Sequence, residues 1–389
     1  LGLTIVLPLL PFYAERYGAT PTVVGLLVTV FALCQLISGP ILGQLSDRTG
    51  RKPLLIVSQI GTLIGFLILG FANTLWLVFL SRIIDGITAG NLSLAQAYIA
   101  DVTEPKDRAK SFAVIGIAFG LGFLIGPAIS GYLSQFGYHM PIFAAAGLSF
   151  VSILATTFLL PSSKNEAPQK SDGSDLPAGR KLAFFDWGAY GAYFRKPGLS
   201  RLLFQFFCFC MSFSLFTSGF ALFAERRFTT SAGVPWGPKE VGYAYAYAGL
   251  LGILLQGGAI RKLVPRFGEH RLAISGFFAF AVGYAILGLS YTLPVFILSA
   301  TIAAYGSSII RPTLTSLVTQ AAEKREQGVV LGLTQSLNSI SQITAPLLAG
   351  PLIQHGQLSL WAYCAALMGL LGAILGLRAP GLTNSRAAT

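Results

Sequence analysis

Charged side chains are what this 389-residue chain has least of: Asp, Glu, Lys and Arg make up 11% of it, against 53% hydrophobic residues. Soluble domains carry roughly a quarter charged residues, so a water-soluble body is excluded. Cysteine is also scarce. Cys34, Cys208, Cys210 and Cys364 all fall inside apolar segments, which excludes a secreted disulfide framework and a zinc spacing and leaves them as small buried hydrophobes. The three histidines, His139, His270 and His355, fall at predicted loops or helix ends. With no nucleophile–base arrangement and no ligand cluster in view, no enzyme activity, metal or cofactor is expected. Long polar segments are nearly absent as well, which argues against a receptor with a sizeable sensing region.

Long apolar runs are what the chain does have. Leu54 to Leu80 and Gly328 to Ile353 contain almost no ionisable side chain, and each matches or exceeds the ~20 residues that cross a bilayer core. Apolar runs set against charged or Pro/Gly breaks place helices near 1–16, 22–45, 54–72, 75–98, 110–134 and 138–160, then near 200–224, 238–261, 270–291, 294–318, 327–353 and 358–378. The chain opens at Leu1 inside an apolar run with no basic leader, which reads as a trimmed N-terminus rather than a signal peptide.

Between the sixth and seventh predicted helices lies the one long polar stretch. Residues 161–199 are rich in Pro, Ser, Gly and charge and read as a linker. It separates a bundle at 1–160 from one at 200–379, with a tail at 380–389. Phe184, Phe185, Trp187, Tyr190 and Tyr193 near its end suit a short helix on the membrane surface. The halves repeat. Pro21-Thr-Val-Val-Gly25 recurs as Pro238-Lys-Glu-Val-Gly242, Arg48-Thr-Gly50 as Arg266-Phe-Gly268, and Gly126-Pro127-Ala-Ile-Ser-Gly131 as Ala345-Pro346-Leu-Leu-Ala-Gly350, at offsets of 217, 218 and 219 residues.

The net charge of +12 comes from basic residues scattered in short loops, so it speaks to orientation and not to nucleic acid. Most of the 27 Lys and Arg collect on one side if both termini are cytoplasmic. The outer loops then hold only Arg16, Arg226, Arg227 and Lys239, while Arg82 and Arg311 lie within the membrane.

Three motifs carry mechanism. Gly43-Gln44-Leu45-Ser46-Asp47-Arg48-Thr49-Gly50-Arg51-Lys52-Pro53, between the second and third predicted helices, resembles the loop signature of the major facilitator superfamily, G-x-L-x-D-R-x-G-R-K. Gly122-Phe-Leu-Ile-Gly126-Pro127-Ala-Ile-Ser-Gly131 resembles that family's antiporter signature, with Ser130 in place of a glycine, and Arg82-Ile-Ile-Asp85-Gly86 is similar to its R-x-x-x-G element. The whole chain looks most like the twelve-helix drug:proton antiporters that include tetracycline-efflux proteins. The resemblance implies an all-α membrane protein with twelve transmembrane helices in two pseudo-symmetric six-helix bundles, the major facilitator fold. It further implies a monomer in a bacterial inner membrane that moves small molecules and protons.

Physical reading assigns the residues. Gly43 permits close helix approach, and Asp47 and Arg51, four apart, suit an ion pair at a helix end that Asp101 can join. With Arg48 and Gly50 these form the expected cytoplasmic gate, though three basic residues could serve topology alone. Gly122, Gly126, Pro127 and Gly131 permit tight packing and a bend, because Pro127 frees a carbonyl on the previous turn. An ionised side chain at the bilayer centre costs about 2.5–3.5 kcal/mol on insertion scales, so Arg82 and Asp85 should face protein or water. They either neutralise each other structurally or make Asp85 a protonation site. Glu15 and Glu225 are the other proton-coupling candidates. Tetracycline-efflux proteins also carry an acid deep in the first helix, where this chain offers only Glu15.

Candidates for a substrate cavity are Phe12, Tyr13, Gln35, Asn91, Gln96, Gln205, Phe209, Phe213, Tyr243, Tyr247, Arg311, Gln335 and Asn338. Many aromatics with few charges suit a flat lipophilic ligand. Proton-coupled drug efflux is therefore expected, with a uniporter or symporter of sugars, organic anions or other metabolites as the rival carrier.

Overall fold

The computed structural model describes residues 1–103, 108–161, 193–322 and 327–377. The helices are α1 (Gly2–Val6), α2 (Leu10–Glu15), α3 (Pro21–Thr49), α4 (Arg51–Gly70), α5 (Leu75–Ile87), α6 (Asn91–Val102), α7 (Arg108–Leu133), α8 (His139–Leu159), α9 (Pro197–Arg227), α10 (Pro238–Leu254), α11 (Ile260–Phe267), α12 (Glu269–Gly288), α13 (Leu293–Gln320), α14 (Gln327–Gln354) and α15 (Leu358–Leu377). Joined across interruptions they run as twelve stretches, 2–15, 21–49, 51–70, 75–102, 108–133, 139–159, 197–227, 238–267, 269–288, 293–320, 327–354 and 358–377, in step with the apolar runs. Among the described residues, eight helices are long and apolar enough to cross a bilayer. The surface helix expected at 184–193 falls largely outside the described residues.

Each interruption has a local cause. Pro8 and Pro11 lack the N–H groups a continuous helix over 2–15 would need, and the chain breaks between α1 and α2. Between α5 and α6 the turn at Thr88-Ala89-Gly90 frees backbone groups that hydrocarbon cannot solvate. Ser58 of α4 satisfies both sides: its hydroxyl donates to the Thr88 carbonyl and its oxygen accepts from the Gly90 N–H at 3.0 Å. A π turn at Leu255–Ala259 separates α10 from α11.

The chain divides into two compact units, Leu1–Arg180 with Phe220–Gly249, and Lys181–Gly219 with Leu250–Thr389. In the first, α4 packs on α5 and α8, and α3 on α5; in the second, α12 packs on α13 and α15. The same notches recur in both. Gly50 and Gly268 end α3 and α11 with φ of +97° and +77°, a conformation glycine adopts without a side-chain clash. A Cβ at Gly70 would meet the Phe143 ring at 2.7 Å, and one at Gly288 would meet the Tyr363 ring at 2.7 Å. A Cβ at Gly65 would meet Asp85 Cβ at 3.0 Å, and one at Gly283 would meet Ala303 Cβ at 3.0 Å. The repeat in the sequence is thus a repeat in packing.

Trp361 anchors the second unit. Its side chain is fully buried, and its indole N–H donates to the Leu215 carbonyl of α9 at 3.0 Å. Trp361→Ala is expected to cost roughly 3–5 kcal/mol through the void and the lost hydrogen bond, with Trp361→Phe losing less. Unfolding of the detergent-solubilised protein, followed by heat or denaturant, checks the ranking.

Candidate functional site

The loop signature closes one end of the first unit. Gly50 turns the chain out of α3 directly into α4, so Asp47 and Arg51 stand on different helices. Arg51 reaches across: its Nε donates to Asp101 Oδ2 at 2.8 Å and its guanidinium to Ser46 Oγ at 2.5 Å. The end of α6 is thereby tied to the α3–α4 turn. Lys52 Nζ donates to the Leu160 and Thr157 carbonyls at 2.6 and 2.8 Å, capping the end of α8. Gly43 is half-buried on α3, and a Cβ there would meet nothing within 4 Å among the described residues. Arg48 is exposed, and the Asp47 side chain lies outside the described set.

Arg82 and Asp85 stand together inside the first unit. Their side chains are 4% and 7% exposed, with guanidinium and carboxylate 3.4 Å apart one helical turn from each other. Beside this pair, the Thr62 hydroxyl oxygen of α4 accepts from Asn91 Nδ2 at 3.1 Å. Arg82 Nε donates to Ser81 Oγ at 3.3 Å, while Arg82 Nη2 and Asn91 Oδ1 are buried without a hydrogen-bond partner among the described residues. Buried polar groups ordinarily find partners, so this network carries more hydrogen-bonding capacity than it uses. In the second unit the equivalent positions, 218 residues on, are Ala300 and Ala303. Ala303 fills the Gly283 notch as Asp85 fills that of Gly65, so the packing itself does not require the ion pair.

The antiporter-like element of α7 lies between two other helices of the first unit. On one side Thr4 of α1 donates to the Gly122 carbonyl at 2.7 Å, and a Cβ at Gly126 would collide with Thr4. On the other side is α10. Pro127 has no N–H for the Phe123 carbonyl, and a Cβ at Gly249 would sit 2.7 Å from that oxygen, so the glycine Cα–H faces the freed carbonyl. A Cβ at Gly242 would sit 2.5 Å from the Pro127 carbonyl and 2.9 Å from Gly131 Cα, and one at Gly131 would sit 2.9 Å from the Lys239 carbonyl. The α7 and α10 backbones therefore touch along a glycine seam. The sequence pointed to α7; Gly242 and Gly249, two turns apart on α10, were its unread counterpart.

At the end of α2, Glu15 Oε1 accepts from Arg226 Nη2 at 2.6 Å, and Arg226 Nη1 donates to Glu225 Oε2 at 3.1 Å. Two of the proton-coupling candidates thus meet on an arginine that sequence reasoning assigned only to topology. The cavity candidates are dispersed. Phe12 and Tyr13 are buried in the first unit, with the Tyr13 hydroxyl directed to the Leu69 and Ala72 carbonyls at 2.9 and 3.0 Å. Gln35 and Asn91 are half-buried there, Gln96 and Tyr243 exposed, and Tyr247 half-buried. In the second unit Gln205 is buried, donating to the Gly372 carbonyl at 3.0 Å, and Phe209 stacks on Phe213 at 6.0 Å. Arg311 and Gln335 are exposed and Asn338 half-buried.

Long apolar helices, an internal repeat and a buried charge pair define an integral membrane transporter. The family model described as the Major Facilitator Superfamily matches residues 1–272 and 259–386, and the chain belongs to that family. It is 30% identical to the class B tetracycline resistance protein of Escherichia coli over 377 residues, covering 95% of this chain and 89% of that one. It is 26% identical over 361 residues to multidrug resistance protein 2 of Bacillus subtilis strain 168, covering 90% and 84%. The fold is shared with a crystal structure of a mutant of the nucleoside transporter NupG, at a TM-score of 0.78 and 14% identity over 97% of this chain and 95% of that one.

The seam has a direct test. Gly242→Val places methyl groups where the Pro127 carbonyl stands and is expected to cost about 1–3 kcal/mol of packing. Gly137→Ala, at a position with open space but φ of +126°, should lose stability without separating α7 from α10. Disulfide trapping between cysteines introduced on α7 and α10 separates the two effects, since only Gly242→Val should slow it.

Proposed function

We propose that this transporter exports lipophilic, drug-like compounds in exchange for protons by alternating access, with Asp85 binding the coupled proton. The comparison between repeats carries the assignment: where the second unit closes the same glycine notch with Ala303, the first spends a buried carboxylate and its arginine. Retaining an ion pair in hydrocarbon has an energetic cost, and a protonation change at Asp85 alters what Arg82 pairs with, giving a substrate or helix movement something to act on. Arg51, Asp101 and Lys52, joining α4 to α6 and α8, serve as the inner gate. The glycine seam between α7 and α10 serves as the seal on the opposite side. The drug-like substrate class rests on the relatives, whose names speak of tetracycline and multidrug resistance, and on the aromatic residues of α9 and α10. Basic loops support an orientation with both termini in the cytoplasm, and the bacterial relatives support an inner membrane.

Organic-anion transport is the second reading, favoured by Arg311, an exposed cation on the apolar helix α13 whose charge acts on Cys210 of α9. Transport unaffected by a pH gradient would support it over proton exchange.

In vesicles carrying a pH gradient, the protein should release protons on addition of a transported drug. Arg82→Ala/Asp85→Ala, which copies the second unit, is expected to fold and to lose drug-driven proton movement. Asp85→Ala alone should be less stable than the double variant, because it leaves a buried guanidinium unpaired, a loss of about 3–5 kcal/mol. Intact proton movement in the double variant removes Asp85 from the mechanism.

A further inference from the structure

The corner where α2 ends brings two carboxyl groups onto one guanidinium. Arg226 is fixed by its own helix, with Nη1 on the Leu222 carbonyl at 3.2 Å as well as on Glu225 at 3.1 Å, while Nη2 takes Glu15 at 2.6 Å. Adjacent nitrogens of one planar group therefore hold both acids, and two carboxyls are gathered beside a single cation. A carboxylate has only acceptor oxygens. A hydrogen bond between two carboxyls thus requires a proton on one of them, and without it two like charges face each other.

Among the described residues, the charged and titratable neighbours have contacts of their own. Arg16, following Glu15, is turned over the Tyr138 ring at 5.9 Å. Burial first, then the charge of Glu225, holds the Tyr138 phenol above its ordinary pKa, so it remains neutral. Arg227 lies over the Phe223 ring at 5.4 Å. Glu240 accepts from the Gly237 N–H at 2.9 Å at the start of its own helix. His139 is engaged with the Tyr13 hydroxyl at 3.2 Å and the Gly70 carbonyl at 2.7 Å, and Tyr17 donates to the Ala72 carbonyl at 2.7 Å.

We propose that Glu15 and Glu225 share one proton beside Arg226 and so form an acid-stabilised latch between the end of α2 and the end of α9. When the helix ends part, each carboxyl ionises in water by itself and the shared proton leaves. The latched form therefore binds one proton more than the parted form, so falling pH favours closure and rising pH favours opening. A one-proton linkage changes the closed-to-open ratio by up to about tenfold per pH unit. The latch acts on the side opposite the Gly50 turn, since Glu15 precedes the start of α3 and Gly50 follows its end. With the orientation proposed above, that is the outer side, where acid in the medium would shut the protein behind a released substrate.

The inference goes beyond proton-coupled efflux and does not depend on it. Nitroxide labels on Asn73→Cys and Ser231→Cys, both exposed positions of the first unit, report the separation in full-length protein whose four native cysteines are replaced. In nanodiscs the short-distance fraction should predominate near pH 5.5 and its ratio to the long one should fall at least about tenfold by about pH 8.5. Glu225→Gln should hold the short distance at both, because its amide donates to Glu15 without a shared proton; Glu15→Gln is the second variant. A wild-type distance that ignores pH, a pH response unchanged in both variants, or one abolished by His139→Gln would overturn the latch. A protein that shows the distance change but moves no protons with drug rejects coupled efflux and leaves the latch standing.

Discussion

In hydrocarbon a backbone carbonyl without a donor has no water to turn to, and two helices gain little from apolar contact that lipid does not already offer. Glycine answers the second constraint by letting backbones touch, and hydroxyl side chains answer the first. Ser58 closes the break between α5 and α6, and Thr4 takes the Gly122 carbonyl where α1 meets α7. Gly249 presents its Cα–H to the carbonyl that Pro127 leaves free. The proline that frees the Phe123 carbonyl in α7 and the glycine that covers it belong to different halves of the sequence, yet form one contact.

That contact explains why residues 220–249 group with the first compact unit although the repeat assigns them to the second half. A seam made of backbone atoms has little conformational slack. It is either fully packed or open, which is the behaviour a transporter needs from a seal. Charge is used sparingly around this framework. Arg51 and Lys52 fasten helix ends at one side, and Arg226 gathers two acids at the other. Arg82 with Asp85 sits in the interior, where the second unit manages with alanine.

Much of this was legible beforehand. Among the described residues, twelve helical stretches lie in step with the apolar runs, because span length is set by bilayer thickness. Gly50 and Gly268 take the same backbone conformation because the repeated Arg-x-Gly requires the same turn. The buried Arg82–Asp85 pair was expected from its spacing on one helix. At Gly43, as at any glycine of a signature, the sequence shows permission for close approach and not which neighbour takes it. The Asp47–Arg51 spacing carries no sign of the positive φ at Gly50 that ends the helix between them.

What the sequence by itself determined is the solvent of this protein and the order of its described helices, which follow from local composition and periodicity, together with its internal repeat and its resemblance to a family, which follow from matching motifs. Tertiary structure alone decided that Arg226 would hold Glu15, 211 positions away, that Asn91 would donate to Thr62, and that Gly249 would cover Phe123. Contacts between distant segments depend on how helices rotate and cross once several backbones compete for the same notch, and no single segment carries that information.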